Sequence, residues 1–335
     1  MKSLLIGGDL SRWNYKERLA AKDYMNGIES WVYALEGDYI SAYYITPKIF
    51  AEYDLIIINI HHTNDKYLSK VLEAISVRKP NQKVVGLIEG DASLFLSPNT
   101  KALAIMAECD FINVINKLSL DFFSLLSGRP CYYLGIPYPY QNINKLKIQY
   151  KTKDTGVLAC SFVSSRNLDL LVAHKLGIKV TCYEKRFSRK LKNIKLYYNK
   201  YNSINLDSEV YFNDTNNYYN KADSILREKD LENYFKTNAE FYLWINIDNR
   251  HTWGRCVLDA AALGVPIVTT KSTGHGEYLF PETTIDDWKQ IDKAIEKAEK
   301  LLSDQKFYED VISYADEKFP NLSHETMKKK LLEFL

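Results

Sequence analysis

The chain has few cysteines and no long apolar segment. Its five cysteines are scattered, with no Cys-x-x-Cys pair, and no His-Glu-x-x-His motif occurs. This distribution predicts buried, reduced thiols in a cytoplasmic protein and excludes the common spacings of zinc ligands. No apolar run approaches the ~20 residues that a membrane-spanning helix needs. Because Met1-Lys2 leads directly into a predicted strand, we expect neither a transmembrane segment nor a signal peptide.

The composition also lacks a strong bias. The 335 residues are 46% hydrophobic and 26% charged, with a formal net charge of +2, which is ordinary for a globular protein. This charge neither demands nor forbids a polyanionic partner. The sequence contains no repeats or low-complexity tracts. Because single hydrophobic cores stop growing near ~250–300 residues, the length predicts two domains.

The most informative stretch is residues 239–277, which read AEFYLWINIDNRHTWGRCVLDAAALGVPIVTTKSTGHGE. An apolar run predicts a buried strand, a helix opens at Gly254-Arg255 and stops at Gly264, and residues 265–268 begin a second strand. Such a strand–helix–strand unit belongs to a parallel sheet. The helix N-terminus with Arg255 beside it is a ready anion site, so we predict a phosphate-binding corner. The alternative is an ordinary βαβ unit whose loop only caps the helix.

This stretch resembles the C-terminal half of retaining GT-B glycosyltransferases of the group 1 type, the glycogen synthase and sucrose synthase superfamily. Their signature is a Glu, seven residues, and a second Glu in a helix that continues as EA-x-A-x-G-x-P-V. Here His251, seven residues and Asp259 precede AAALGVPIV. The resemblance implies that Asp259 holds the ribose of a nucleotide-sugar donor and that His251 replaces the acid facing the donor sugar. The predicted donor site also includes Thr252, Trp253, Gly254 and Arg255.

The same resemblance implies three further donor-site residues. In the family, an Arg and a Lys after the first strand of this half bind the donor diphosphate, and Arg166 fits the second position. Asn213 lies in a turn-rich loop where the family's backbone cradles the nucleotide base. Gly8 ends a glycine pair after the first strand, a loop that lies near the transfer site in the family. Without the resemblance, a glycine pair indicates only a tight turn.

The first half of the chain alternates apolar strands and helices. A strand predicted at 83–88 ends in Glu89-Gly90-Asp91. In the family this position holds a short polar motif that projects into the cleft, so Glu89 and Asp91 are predicted catalytic residues together with His251 and Arg166. Two alternatives are a plain acidic loop and a pair of metal ligands of the kind that GT-A transferases use.

The resemblance therefore implies an α/β fold of GT-B architecture. Two Rossmann-like domains, at 1–150 and 151–318, would face a central cleft, and a C-terminal helix at 319–335 would cross back to the N-terminal domain. The implied reaction moves a sugar from a UDP- or GDP-sugar to a hydroxyl of a glycan or lipid-linked acceptor. It would retain anomeric configuration and need no metal or other cofactor, because the helix N-terminus and arginines stabilise the leaving diphosphate.

Two alternatives for the function come from particular residues. The basic segment 185–200 is interpreted as a solvated face, as a contact surface for nucleic acid or an acidic glycan, or as a peripheral contact. That segment favours a modified DNA base as acceptor, as for certain phage GT-B enzymes. The histidine at 251, in place of an acid, favours a non-catalytic protein that binds nucleotide sugars or nucleic acid on the same scaffold.

Overall fold

The chain forms two compact units. The computed structural model describes residues 1–8, 24, 27–97, 99–149, 151–160, 166–178, 180–181, 210–211 and 228–335. The first unit comprises Met1–Tyr140, Arg250–Trp253 and Pro320–Leu335, and the second comprises Gln141–Asn249 and Gly254–Phe319. The division between the units thus falls after Tyr140, before the domain boundary predicted at 150. The first three residues of the family signature, His251–Trp253, belong to the first unit together with Arg250.

Each unit is built on a six-stranded sheet whose neighbouring strands are parallel. The strand order is β2-β1-β3-β4-β5-β6 in the first unit and β12-β11-β10-β7-β8-β9 in the second. The central strands are continuous apolar runs, as expected for strands covered on both faces. In chain order the strands are β1 Ser3–Gly7, β2 Asp38–Ser41, β3 Leu55–Asn59, β4 Lys83–Ile88, β5 Phe111–Val114, β6 Cys131–Tyr132, β7 Val157–Ala159, β8 Val180–Thr181, β9 Val210–Tyr211, β10 Leu243–Asn246, β11 Ile267–Thr270 and β12 Thr284–Ile285.

Helices connect most consecutive strands, as crossovers between parallel strands require. In chain order they are α1 Ser30–Leu35, α2 Pro47–Phe50, α3 Asp65–Ile75, α4 Thr100–Glu108, α5 Leu120–Ser127, α6 Tyr140–Ile143, α7 Arg166–Lys175, α8 Glu228–Ala239, α9 Arg255–Ala262, α10 Gly276–Leu279, α11 Ile291–Ser303, α12 Gln305–Lys318 and α13 His324–Glu333. The C-terminal helix α13 packs on α1, and the Phe334 ring lies 4.2 Å from that of Tyr132. The C-terminal helix therefore returns to the first unit, as the GT-B resemblance implies.

The second unit confirms the strand–helix–strand unit predicted at 239–277. Strand β10, helix α9 and strand β11 follow one another, and β10 pairs in parallel with β11. The second strand begins at Ile267 rather than at 265, because the Val265 N–H donates to Ala260 O at the end of α9 (2.9 Å) and is lost to the sheet. Gly264, which follows the helix, has a φ of 59°, as is common for a glycine that ends a helix.

The composition led to two expectations, namely buried thiols and the lack of a membrane-spanning helix. Four cysteines in the described ranges form no disulfide; Cys109 is buried, whereas Cys131, Cys160 and Cys256 are half-buried. The expectation of buried thiols therefore holds for one of these four. Burial raises the pKa of Cys109 to about 12. Among the residues with assigned positions, no helix is both long and apolar enough to span a bilayer.

Candidate functional site

Both sheets have a point at which the chain reverses its direction of progress across the sheet. In the second unit this point lies between β7 and β10, since β8 and β9 extend to one side and β11 and β12 to the other. Open α/β sheets bind ligands outside the carboxyl ends of the strands at such a point. Helix α7 follows β7 and helix α9 follows β10. The first residues of these two helices, Arg166 and Arg255, are therefore placed at the same edge of one sheet.

The amino end of α9 rests directly on the glycine-rich turn after β11. Gly254 precedes the helix with φ 78° and ψ 38°, a left-handed conformation that favours glycine. A Cβ atom at this position would lie 1.8 Å from the carbonyl oxygen of Gly274. The Gly254 oxygen accepts hydrogen bonds from the N–H groups of Val257 (2.9 Å) and Leu258 (3.2 Å). Only glycine fits here, and the two glycine-rich segments of the signature are in backbone contact.

The hydroxyl groups of Thr270, Ser272 and Thr273 form a hydrogen-bonded cluster at the start of this turn. The Thr270 hydroxyl donates to Asp248 O at 2.6 Å, and the Thr273 hydroxyl donates to Asn246 Oδ1 at 3.0 Å. Ser272 Oγ lies 2.8 Å from Thr270 Oγ1. These residues connect the carboxyl ends of β10 and β11. The sequence analysis missed this cluster, although the run TTKST directly before the glycine-rich turn carries the signal.

Asp259, the predicted ribose ligand, lies on α9 and is fully buried. Its Oδ2 accepts a hydrogen bond from the Tyr234 hydroxyl at 3.1 Å. A buried carboxylate needs such partners because burial without them is costly. Tyr234, on α8, is a residue that the sequence analysis missed. A ribose that binds Asp259 would share or replace the hydrogen bond from this tyrosine.

In the first unit, the loop Arg250–Trp253 is fastened to the carboxyl ends of β4 and β5. Asp91, after β4, accepts hydrogen bonds from the Ser93 N–H at Oδ1 (2.7 Å) and from the His251 N–H at Oδ2 (2.5 Å). Asn116, after β5, donates to Thr252 O at 2.7 Å. These bonds fix the backbone of a loop that is more than a hundred residues distant along the chain.

The side chains of this loop are also held. His251 is half-buried, and its Nδ1 lies 3.4 Å from Ser119 Oγ. Ser119 Oγ therefore lies beside Nδ1 and not beside Nε2. Trp253 is 6% exposed and anchors the loop. Asn116 and Ser119 were not predicted, although polar residues that directly follow a buried strand of a parallel sheet are the expected signal.

Electrostatics keep Asp91 ionised. Burial raises the pKa of Asp91, but hydrogen bonds from the Ser93 side chain and N–H and from the His251 N–H, with the charge of His251, outweigh burial and leave the pKa below its ordinary value. The stability that Asp91 contributes is therefore present at neutral pH and is lost in acid, as the pH falls through the lowered pKa. Glu89 is exposed. Within the described ranges, no three or more His, Cys, Asp or Glu side chains are arranged to hold a metal ion.

Asp91→Asn tests the role of this carboxylate in holding the loop. The amide keeps one acceptor oxygen and turns an NH2 group toward one of the two backbone N–H groups. We expect the free energy of unfolding, measured in urea, to fall by about 0.5–1.5 kcal/mol, the range for one hydrogen bond. Asp121→Asn, an exposed acid in the first turn of α5, is the matched control. Equal stability of both variants would show that Asp91 does not hold the loop.

Gly8 and a pair of histidines flank the corresponding reversal point in the first sheet, between β1 and β3. The Gly8 carbonyl accepts a hydrogen bond from the Tyr39 hydroxyl at 3.1 Å, and a Cβ atom at Gly8 would meet none of the described residues within 4 Å. The rings of His61 and His62, directly after β3, stack at 4.8 Å. Burial, and secondly the charge of His62, lower the pKa of His61.

The remaining predicted residues have definite places or lie outside the description. Arg166 is the first residue of α7. Asn213 and the basic segment 185–200 lie outside the described residues. The predicted site residues therefore fall into two groups. Asp91, His251 and Thr252 are joined in the first unit with Trp253 in the same loop, and Gly254, Arg255 and Asp259 are joined on α9 in the second.

The sequence matches no protein-family model, and no curated protein matches it. Solved structures do match. Sucrose-phosphate synthase from Thermosynechococcus elongatus has a TM-score of 0.64 at 11% identity, covering 99% of this chain and 98% of that one. HepE from Anabaena, in complex with UDP-glucose, has a TM-score of 0.63 at 13% identity with the same coverage.

A third similar structure is an alpha-glucosyltransferase in complex with UDP and a 13-mer DNA containing an HMU base. Its TM-score is 0.57 at 13% identity, covering 99% of this chain and 98% of that one. These proteins are GT-B glycosyltransferases, and they match over nearly the whole length of both chains. With two parallel sheets, the GT-A alternative for the fold is wrong. The chain has the GT-B fold, with one Rossmann-like sheet in each unit.

Proposed function

We propose that the protein transfers a sugar from a UDP- or GDP-sugar to a hydroxyl group. The observation that carries this proposal is the reversal point between β7 and β10, where two helices begin with arginine and Gly254 rests on the backbone of Gly274. The backbone N–H groups and the positive dipole end of a helix attract anions there. A nucleoside diphosphate is the anion that suits two converging helix N-termini. The UDP in two of the similar structures supports this choice.

The chemistry of transfer explains why this corner matters. As the bond from the sugar to the diphosphate breaks, positive charge grows on the anomeric carbon and negative charge on the departing phosphate. Fixed dipoles and cations aimed at that phosphate stabilise the transition state without reorganising. Arg255 is exposed at the first turn of α9, and Arg166 begins α7. These groups take the leaving-group charge in the proposed mechanism, which therefore needs no metal. Retention of the anomeric configuration is proposed from the family resemblance alone.

His251 takes the place of the acid that faces the donor sugar. A carboxylate only accepts hydrogen bonds, whereas an imidazole both donates and accepts. With Nδ1 beside Ser119, we assign Nε2 to a hydroxyl of the donor sugar or to the departing phosphate. In this proposal Asp91 holds the backbone of the His251 loop. Glu89, which is exposed after β4, is the second acid of the proposed catalytic group.

Replacing His251 with Glu is expected to change which donor sugar is preferred, or the pH profile of turnover, without unfolding the protein. The reason is that a negatively charged, acceptor-only group replaces an imidazole, which also donates a hydrogen bond. Turnover of a donor panel between pH 5.5 and 8 measures this. Ser119→Ala, which removes only the partner of Nδ1, should alter the pH profile less. Wild-type preference and an unchanged profile in His251→Glu would show that this histidine does not meet the substrate.

The acceptor is a glycan or a lipid-linked sugar in this proposal, and the reversal point between β1 and β3, with Gly8, is where we place it. The alternative is a modified base in DNA, which is favoured by the similar alpha-glucosyltransferase with its DNA. The lack of disulfides among the cysteines of the described ranges favours a reducing compartment, so we propose that the reaction takes place in the cytoplasm. A panel of oligosaccharides, a lipid-linked sugar and DNA with a hydroxymethylated base, analysed by mass spectrometry for an added hexose, separates these acceptors.

Donor binding is the direct test of the proposal. Calorimetry with UDP- and GDP-sugars in excess chelator should show binding of at least one donor to the purified chain. Binding without transfer to any acceptor would favour the non-catalytic alternative. A folded protein that binds no nucleotide sugar would overturn the proposal, and binding that appears only with manganese would overturn its metal-free form.

A further inference from the structure

The carboxyl end of α9 is closed by a complete capping arrangement of its own backbone. The N–H of Gly264 donates to Ala261 O (3.1 Å), and the N–H of Val265 donates to Ala260 O (2.9 Å). Together with the left-handed Gly264, these two bonds form a Schellman motif. The Leu263 N–H donates to Asp259 O (3.1 Å). The carbonyls of Leu263 and Gly264 themselves remain to be satisfied.

A lysine from outside the helix satisfies both of these carbonyls. Lys151 Nζ donates to Leu263 O at 3.0 Å and to Gly264 O at 2.8 Å. A second lysine, Lys147, lies across Gly264, so that a Cβ atom there would be 2.1 Å from Lys147 Cε. Lys147 also forms an ion pair with Asp316. Both lysines belong to the second unit and lie at the negative end of the helix dipole, where a cation is favourable.

This position is costly for a charged group. Burial, and secondly the charge of Lys147, lower the pKa of Lys151 to about 7, while Asp316 acts in the opposite direction. The unfolded chain therefore binds more protons than the folded chain between about pH 7 and the ordinary lysine value near 10.4. The free energy of unfolding rises with pH across that window. Below it, the charged form of Lys151 lowers the free energy of unfolding relative to the neutral form.

We propose that Lys151 is a positioning residue for the donor: by holding the carbonyls of Leu263 and Gly264, it fixes α9 and so aligns Asp259 and the amino end of the helix with the nucleotide. This rests on the proposed function, because the aligned groups are those assigned to ribose and diphosphate. The carbonyl of Asp259 itself accepts the hydrogen bond from the Leu263 N–H, so Asp259 lies in the last turn of α9. Release of the helix end therefore acts on the ribose ligand first.

Three variants test the proposal: Lys151→Met, Lys151→Arg, and Lys153→Met as the matched control, since Lys153 is exposed two residues further on. At pH 6.5, Lys151→Met should bind UDP-glucose about two- to fivefold more weakly, the range expected for a cation at a helix C-terminus. Its urea midpoint should be equal to or above that of the wild type, because a buried charge has been removed. Lys151→Arg should restore affinity, and the control should change neither quantity.

Opposite directions for affinity and stability are the signature of positioning, since a merely structural lysine would lower both in Lys151→Met. Equal affinity of Lys151→Met and wild type for UDP-glucose would overturn the proposal, as would affinity and urea midpoint falling together. Amide hydrogen exchange at residues 259–265 gives a readout that needs no donor, and we expect faster exchange there in Lys151→Met. If the wild type itself binds no UDP-glucose, the proposed function fails for that donor. Unchanged exchange at residues 259–265 in Lys151→Met would separately show that Lys151 does not fix the end of α9.

Discussion

Alanine at Gly254 is expected to lower the free energy of unfolding by about 2–5 kcal/mol and to abolish donor binding. About 1–2 kcal/mol comes from forcing a left-handed conformation on a residue with a side chain, and about 1–3 kcal/mol from overpacking. The added methyl group would lie 1.8 Å from the Gly274 carbonyl oxygen, so either α9 or the glycine-rich turn must move. Both flank the proposed diphosphate site.

Urea unfolding and calorimetry with UDP-glucose measure the two effects. Gly128→Ala is the matched control, because Gly128 is also left-handed (φ 62°) but, among the described residues, a Cβ atom there meets nothing within 4 Å. This control should lose only the ~1–2 kcal/mol of the left-handed conformation and keep the donor affinity of the wild type. A Gly254→Ala protein with the stability and donor affinity of the wild type would refute the described contact. If the variant lost stability but kept its donor affinity, the contact between Gly254 and Gly274 would be structural and not part of the donor site.

Asp259→Ala is expected to weaken donor binding about ten- to hundredfold. The loss corresponds to a hydrogen bond to a charged group, about 1.5–3 kcal/mol. Asp259 is fully buried, so the variant also leaves the Tyr234 hydroxyl without its acceptor and should unfold at a lower urea concentration. Calorimetry with UDP-glucose measures the affinity at a urea-free condition where both proteins are folded.

Tyr234→Phe separates the ribose role from the structural one. It removes the internal hydrogen bond to Asp259 Oδ2 and keeps the carboxylate for the ribose. Donor affinity should be retained or improved in this variant. If Asp259→Ala binds the donor as tightly as the wild type, the carboxylate serves only Tyr234 and its assignment to the ribose is wrong.

Much of the second unit's donor corner can be predicted from the sequence, because its signals are local. Apolar runs mark β10 and β11, and glycines mark both ends of α9. The start of β11 is misplaced because the capping bond of the Val265 N–H is not visible in a hydropathy pattern.

The attachment of the His251 loop to the first unit could not be predicted. It depends on Asp91, 160 residues earlier in the chain, and on Asn116, and no local pattern encodes partners at that separation. Tyr234 and Lys151 were missed for the same reason. Each is an ordinary polar residue until the fold brings it to Asp259 or to the end of α9. The family resemblance identified His251 and Asp259 as candidate site residues. Their hydrogen-bond partners, Asp91 and Tyr234, are known only from the structure.

The most direct test of the central claim is the release of nucleoside diphosphate from UDP-glucose and other UDP- and GDP-sugars by the purified protein, in excess chelator and with the acceptor panel present. We expect turnover of one donor, a large loss of this activity in Gly254→Ala, and a raised donor KM in Asp259→Ala. A folded wild-type protein that neither binds nor cleaves any of these nucleotide sugars would contradict the assignment of the β7–β10 corner as a donor site.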